Sequence, residues 1–315
     1  MDKNTLKGRS LLTWLDYSEE EIRYFLDLSK QVKEEKKRGE LHQRFTGKTI
    51  ALLFEKRSTR TRCAFETSIG EEGGHPVFLS TADIQLGEKE SVEDTSRVLG
   101  RMFSAIQFRG FKQSTVETLA KFSGVPVYNG LTDNFHPTQV LADIMTIEEN
   151  FGSSRGKKLC FVGDGRNNVA RSLMVICAKL GVHFTIVTPP ALMPDPALVK
   201  TCETLAAAAG SKILITADTA AVEGAHALYT DVWASMGEEA VKAERVKQLS
   251  PFQVNQDLMA KTGLKETIFL HCLPAIRGEE VTAAVIDGNQ TRVWDEAENR
   301  KHTIKAIMLG TLGLA

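Results

Sequence analysis

Gly47-Lys48-Thr49-Ile50-Ala51-Leu52-Leu53-Phe54-Glu55-Lys56-Arg57-Ser58-Thr59-Arg60-Thr61-Arg62 is the stretch on which the fold turns. Thr49 to Phe54 is a continuous apolar run, the pattern of a strand buried on both faces in a parallel sheet. A basic turn follows, then a helix from about Thr61 to Glu71, which Gly73-Gly74 stops. The free N–H groups of a helix start and the positive end of its dipole favour an anion. Ser58, Thr59 and Thr61 add neutral donors, and Arg60 adds a planar fork suited to phosphate. Basic runs are usually solvated turns. Here the strand–turn–helix setting raises an anion site above that reading.

Working outward, Ser18-Glu19-Glu20-Glu21 followed by Ile22, Phe25, Leu26, Leu28 and Val32 reads as a capped amphipathic helix. Downstream, strands are expected at Val77–Leu79, Ala105–Phe108 and Val125–Tyr128, with helices at Ser91–Phe103 and Thr115–Ser123. A linking helix runs from His136 to about Asn150, and the Gly- and Ser-containing stretch 151–157 reads as a boundary loop. A second series follows: strand Lys158–Val162, helix Asn168–Leu180, strand His183–Val187, then strands at Lys212–Thr216, Ala227–Thr230, Thr267–Leu270 and Arg292–Trp294. A helix from about Glu296 to Leu312 ends the chain. The expected architecture is α/β, with two doubly wound parallel-sheet domains (1–150, completed by the helix at 296–315, and 151–295) and the active site in the cleft between them.

The chain has 315 residues, enough for two domains, with 42% hydrophobic and 25% charged residues. A net charge of −1, from 39 basic and 40 acidic side chains, offers no global field for nucleic acid or an anionic membrane, so any anion site must be local. Five cysteines, an odd number without C-x-x-C spacing, point to reduced thiols and a cytoplasmic protein. The segment after Met1 has no apolar core of a secretory signal, and no apolar run reaches the length of a membrane span.

Further segments can carry chemistry. Arg109, just past a strand, points into the mouth of a sheet. His136-Pro137-x-Gln139 opens a helix, where the imidazole and the amide can donate to a polarised carbonyl. Gly163-Asp164-Gly165-Arg166-Asn167-Asn168 resembles a dinucleotide loop, but Asn168 stands in place of the third glycine, and no acidic residue ends the next strand. A nicotinamide cofactor is therefore rejected. Paired Asn side chains suit a zwitterion instead. Asp231 can hold an ammonium and Ser235-Met236-Gly237 a carboxylate, while Trp233 reads as core. His271-Cys272-Leu273-Pro274 offers a Cys beside a His. With no third ligand at metal spacing, and with neighbours on an extended segment pointing apart, a backbone role is preferred to a nucleophile or a metal site.

Taken in order, Ser58-Thr59-Arg60-Thr61-Arg62, His136-Pro137-x-Gln139, Asp231-x-x-x-Ser235-Met236-Gly237, His271-Cys272-Leu273-Pro274 and Glu298-Asn299-Arg300 resemble the ornithine carbamoyltransferase family nearly end to end. The first two segments are shared with aspartate carbamoyltransferases, whereas the Ser-Met-Gly and His-Cys-Leu-Pro segments are particular to the ornithine enzymes.

The resemblance implies a first domain that binds carbamoyl phosphate and a second that binds ornithine, with the final helix crossing back to the first. By matching positions, Ser58, Thr59, Arg60 and Thr61 hold the phosphate with Arg109, and Gln85 from a neighbouring copy reaches it. His136, Gln139, Arg300 and the backbone of Cys272 and Leu273 surround the carbamoyl group. Leu131, Asn168, Asp231, Ser235 and Met236 receive ornithine. Arg60, Arg109, His136, Asp231 and Cys272 are the expected catalytic set. Neither cofactor nor metal is expected, because carbamoyl phosphate is already activated. Homotrimers or multiples of trimers are expected, without nucleic-acid or membrane partners. The rivals are a putrescine carbamoyltransferase, for which Asp231 and the Ser235–Gly237 loop have no evident task, and a non-catalytic carbamoyl-phosphate-binding homologue.

Overall fold

The computed structural model describes residues 3–80, 84, 90–234 and 239–315. The chain forms two compact units, Met1–Met145 with Glu298–Ala315, and Thr146–Ala297.

In the first unit α1 (Glu19–Lys37) precedes β1 (Thr49–Phe54), α2 (Thr59–Gly70), β2 (His75–Ser80), α3 (Val92–Met102), β3 (Ala105–Arg109), α4 (Gln113–Ser123), β4 (Val127–Leu131) and α5 (Pro137–Phe151). The start of α1 follows from a reciprocal cap: Ser18 Oγ accepts the Glu21 N–H, and the Glu21 carboxylate accepts the Ser18 N–H. Its apolar stripe, Ile22, Phe25, Leu26 and Val32, is buried. The four strands form a parallel sheet of order β2-β1-β3-β4. β1 is buried from Ile50 to Phe54, as its apolar run requires. β4 begins at Val127 rather than Val125. Pro126 has no N–H for the ladder and contributes only its carbonyl, to Ile106 N.

The second unit continues with β5 (Lys158–Val162), α6 (Asn168–Leu180), β6 (His183–Val187), α7 (Pro196–Ala209), β7 (Ile213–Thr216), β8 (Ala227–Tyr229), α8 (Lys242–Leu249), α9 (Gln256–Ala260), β9 (Ile268–Leu270), α10 (Ala283–Ile286) and α11 (Val293–Leu312). Its sheet is parallel, in the order β7-β6-β5-β8-β9. A core of Cys160, Val162, Leu228, Phe269, Val285 and Ile286 packs along one side.

One expected element is corrected. Arg292–Trp294 is not a strand. Thr291 makes an isolated bridge to Phe269, and Val293 already begins α11. Asp295 and Glu296 lie in the first turn, where carboxylates favour the helix dipole, and three residues are too short a run to compete. The division between units falls inside α5, ahead of the Gly/Ser stretch 151–157, and again inside α11. From Glu298 onward α11 belongs to the first unit. There Lys33 Nζ donates to Asn299 Oδ1 (2.7 Å), Ser68 Oγ donates to the Lys301 carbonyl (2.8 Å), and Tyr128 and Thr311 hydroxyls bond at 2.8 Å.

Candidate active site

In the first unit β1 lies between β2 and β3, so the connections leaving β1 and β3 part at that point and open a crevice at the strand carboxyl ends. The strand ends are aligned. Phe54 pairs with Arg109, and a register shift after Phe108 pairs Arg109 with Leu131. Glu55 braces the turn beyond β3: its N–H donates to the Arg109 carbonyl and its carboxylate accepts the Phe111 N–H (3.0 Å).

α2 starts at this edge. Ser58 is its N-cap, with Oγ accepting the Thr61 N–H at 3.1 Å. Thr59 is exposed, Ser58 and Arg60 are half-buried, and Thr61 is fully buried. Arg109 Nη1 (3.2 Å) and Arg300 Nη2 (3.0 Å) both donate to Thr61 Oγ1. Two guanidinium donors use both lone pairs of that hydroxyl, so its proton is left to donate. The close approach depends on Gly130 in β4, where a Cβ would fall 2.5 Å from Gln107 Nε2 and 3.1 Å from Thr61 Cγ2.

His136 precedes Pro137, and its carbonyl accepts the Gln139 N–H, the position of an N-cap. Trp14 Nε1 donates to the Pro137 carbonyl at 2.8 Å and anchors this start. Burial holds the His136 imidazole well below its ordinary range, and the charges of Arg300, Arg109 and Arg60 push it the same way. The ring is therefore neutral at pH 7, a donor at one nitrogen and an acceptor at the other. Gln139, buried one turn on, donates from Nε2 to Asp143 Oδ1 at 2.8 Å. Three arginines and a neutral imidazole thus converge beside a helix N-terminus. Such a corner can bind a phosphoryl group and polarise an adjacent carbonyl.

The second unit has its own parting of connections, at β5 between β6 and β8. Asn167 caps α6, accepting the Val169 N–H at 2.7 Å, and donates from Nδ2 to Asp231 Oδ2 at 2.9 Å. Asp231 Oδ1 accepts the Val232 N–H (2.8 Å) and the Cys272 thiol (3.2 Å). Asn168 is the first residue of α6 and half-buried, as is Leu131 at the end of β4. Trp233 is buried against Leu192 and Leu249, as the core reading expected.

After β9, His271 Nδ1 accepts the Leu273 N–H at 2.8 Å, which assigns the ring proton to Nε2, 3.2 Å from Glu280 Oε1. The His271 N–H donates to Glu296 Oε2 (2.9 Å), and Tyr229 donates to Glu296 Oε1 (3.0 Å). Leu273 has φ 57°, a left-handed conformation that costs a non-glycine residue about 1–2 kcal/mol.

This bend corrects the sequence-based view of the segment. The sequence has no third ligand at metal spacing beside His271-Cys272, and the two side chains were expected to point apart. Instead, ligand atoms of Asp231, His271 and Cys272 all lie within 4.8 Å of one another. Chain separation concealed Asp231, and the segment is not extended. Both ring nitrogens of His271 are nevertheless engaged, so the ring presents no spare lone pair to an ion.

Of the expected residues, Ser58, Arg60, Thr61, Arg109, His136 and Arg300 come together in the first unit, and Asp231 and Cys272 in the second. Gln85, Ser235 and Met236 lie outside the described residues. Asn167, rather than Asn168, bonds Asp231; an N-cap Asn before a helix was the available signal. Glu280 and Glu296 had no signal, since a buried carboxylate reads as a surface charge until its partners are seen.

The chain matches two family models, the aspartate/ornithine carbamoyltransferase carbamoyl-P binding domain over residues 9–149 and the Asp/Orn binding domain over 155–311. It is 66% identical to an ornithine carbamoyltransferase of Caldanaerobacter subterraneus subsp. tengcongensis, over 98% of each chain. It is 54% identical to a catabolic ornithine carbamoyltransferase of Bacillus licheniformis, over 98% of this chain and 97% of the relative. The solved ornithine carbamoyltransferase of Pyrococcus furiosus superposes with a TM-score of 0.95 at 47% identity, over 98% of each chain.

Proposed function

The chain belongs to the aspartate/ornithine carbamoyltransferase family, and from that premise we infer that it transfers the carbamoyl group of carbamoyl phosphate to the δ-amine of L-ornithine, giving L-citrulline and phosphate. The observation that carries the reading is the convergence of Arg60, Arg109 and Arg300 on the neutral His136 at the start of α2.

We assign carbamoyl phosphate to the first domain (residues 1–150 with the helix at 296–315) and ornithine to the second (151–295). The descriptions of the two matched family models support this. Ser58, Thr59, Arg60, Thr61 and Arg109 hold the phosphate, with Gln85 from a second copy. His136, Gln139, Arg300 and the Cys272–Leu273 backbone hold the carbamoyl group. Leu131, Asn168, Asp231, Ser235 and Met236 receive ornithine.

The neutral amine attacks the carbonyl carbon, and the carbonyl π pair moves to oxygen. Arg60, Arg109 and the His136 N–H stabilise that oxyanion, worth roughly 3–4 kcal/mol per well-placed donor. The pair returns, the C–O bond to phosphate breaks, and the arginines and the helix N-terminus neutralise the departing charge. The amine proton leaves to the phosphate or to the Asp231–Cys272 pair. The anhydride is activated by its own leaving group, so positioned charge suffices.

Citrulline formation with ornithine, putrescine and aspartate as acceptors tests the reading. Ornithine should be the preferred acceptor. Equal or faster turnover of putrescine would overturn the choice, and carbamoyl-phosphate binding without turnover would mark a non-catalytic homologue.

The same reading places the chain in arginine metabolism, in the cytoplasm and as a homotrimer. Five free cysteines support a reducing compartment. Among the described residues no helix is long and apolar enough to cross a membrane. Exposed Val98 and Met102, one turn apart on α3, offer an apolar face for self-association. Light scattering should give three times the 34.7 kDa chain mass, or a multiple of that.

A further inference from the structure

We propose that His271 is a positioning residue for carbamoyl transfer, acting through the peptide between Cys272 and Leu273 rather than by moving a proton; the assignment rests on the reaction inferred above. His271 and Glu280 are buried with no exposed side-chain surface. Glu280 Oε1 accepts the Ile276 N–H at 2.6 Å and faces His271 Nε2 at 3.2 Å, so one carboxylate oxygen ties both ends of the turn 271–276. The other ring nitrogen accepts the Leu273 N–H at 2.8 Å. Nδ1 is therefore the acceptor of this bond and Nε2 the nitrogen that faces the carboxylate.

Packing does not hold the turn by itself. Pro274 and Ile276 are exposed, Cys272 and Leu273 are half-buried, and Leu273 is held at φ 57°. Because a peptide is planar and trans, fixing the Leu273 N–H toward the ring points the Cys272 carbonyl the opposite way. These are the backbone groups assigned to the carbamoyl amide. Glu280 orients the ring, the ring orients the peptide, and the peptide orients the acceptor and the neighbouring thiol, which bonds Asp231.

Two amide substitutions separate the roles of the ring nitrogens. In His271→Asn the side-chain oxygen stands near the place of Nδ1 and keeps the acceptor for Leu273. In His271→Gln the amide reaches the place of Nε2 and leaves the Leu273 N–H without a partner. His271→Asn should retain kcat within about 5-fold of wild type, whereas His271→Gln should lose roughly 100-fold, the scale of an ångström's misplacement. KM for ornithine should move little in either, and His271→Asn should keep every ionisation limb of the wild-type pH–rate profile. Hydrogen–deuterium exchange across residues 271–276, measured without substrates, should accelerate in His271→Gln and not in His271→Asn. If His271→Gln does not fold, Glu280→Gln replaces it, with faster exchange in the turn and a kcat lower by about 5-fold expected.

Equal damage in the two His271 variants, a wild-type kcat in His271→Gln, or a lost ionisation limb in His271→Asn would each overturn the proposal, as would wild-type exchange and kcat in Glu280→Gln. The exchange result judges the turn independently of the chemistry. A wild-type protein that makes no citrulline would instead sink the inferred reaction, whatever the exchange shows.

Discussion

Arg300 Nη2 lies 3.0 Å from Thr61 Oγ1, although 239 residues separate them in the chain. The same oxygen takes Arg109 Nη1. Thr61→Val keeps the shape of the side chain and removes the acceptor, which leaves buried guanidinium N–H groups short of a partner at a cost of about 1–3 kcal/mol. A fall in kcat/KM for carbamoyl phosphate of roughly 10- to 100-fold follows from that cost, while Thr61→Ser stays near wild type. Steady-state kinetics on both variants checks this; equal activities would show that the shared hydroxyl does not organise the arginines.

Arg60 is half-buried beside the N-terminus of α2, and its charge is felt at His136. Arg60→Ala should lower kcat by roughly 10²–10³, the usual loss for a donor aimed at developing charge. The circular dichroism spectrum and melting temperature should stay close to wild type, because the side chain carries no core packing. Wild-type turnover would remove Arg60 from the site.

Asp231 uses both carboxylate oxygens, one for Asn167 Nδ2 and the other for Val232 N–H and the Cys272 thiol. An amide at this position offers one oxygen and sets an NH₂ against a donor. Asp231→Asn should weaken ornithine by roughly 10- to 100-fold and leave carbamoyl-phosphate affinity nearly unchanged. Calorimetric titrations of the two ligands will show whether the loss is confined to ornithine. Equal losses for both would contradict the assignment.

His136 has a lowered pKa, for which burial is the first cause. In the unfolded chain the ring titrates near the ordinary value of about 6.5, so below that pH the unfolded state binds the extra proton and the folded state does not. Stability should therefore decline as pH falls below about 6.5, with a slope of at most ~1.4 kcal/mol per pH unit from this residue until the folded pKa is reached. Urea unfolding at several pH values, compared with His136→Asn, isolates the contribution. An unchanged slope in the variant would mean that other groups carry it.

Ser18 and Glu21 close a reciprocal cap on α1. Ser18→Ala should cost about 1 kcal/mol, visible as a lower urea midpoint with unchanged kinetics.

Much of the fold was legible because the signals are local. The apolar run Ile50–Phe54, the cap at Ser18 and the strand Lys158–Val162 are dictated by residues within one or two turns of chain. The short helices α8 to α10 were missed because so few residues carry little periodicity, and Arg292–Trp294 misled because a strand-like triplet was read without the acidic first turn that follows it. At the site, residue types and order pointed to Ser58–Thr61, His136, Asp231 and Cys272. They could not reveal that Asn167 rather than Asn168 reaches Asp231, since both are the same residue type at one helix start.

By itself the sequence determined the alternation of strands and helices, the anion-favouring helix start at Ser58 and the set of polar groups available for chemistry, because propensity, capping and burial pattern act between near neighbours. Only tertiary structure decided which of those groups meet. Arg109 and Arg300 share Thr61, Asp231 joins Cys272, and Glu280 aims His271 at Leu273. The first three of these bonds need parallel strands brought into register, or a helix returned to the unit where the chain began, and the last needs the bend at Leu273. Hydrogen bonds are directional and short-ranged, so composition and order state what could bond, and the packed sheet states what does.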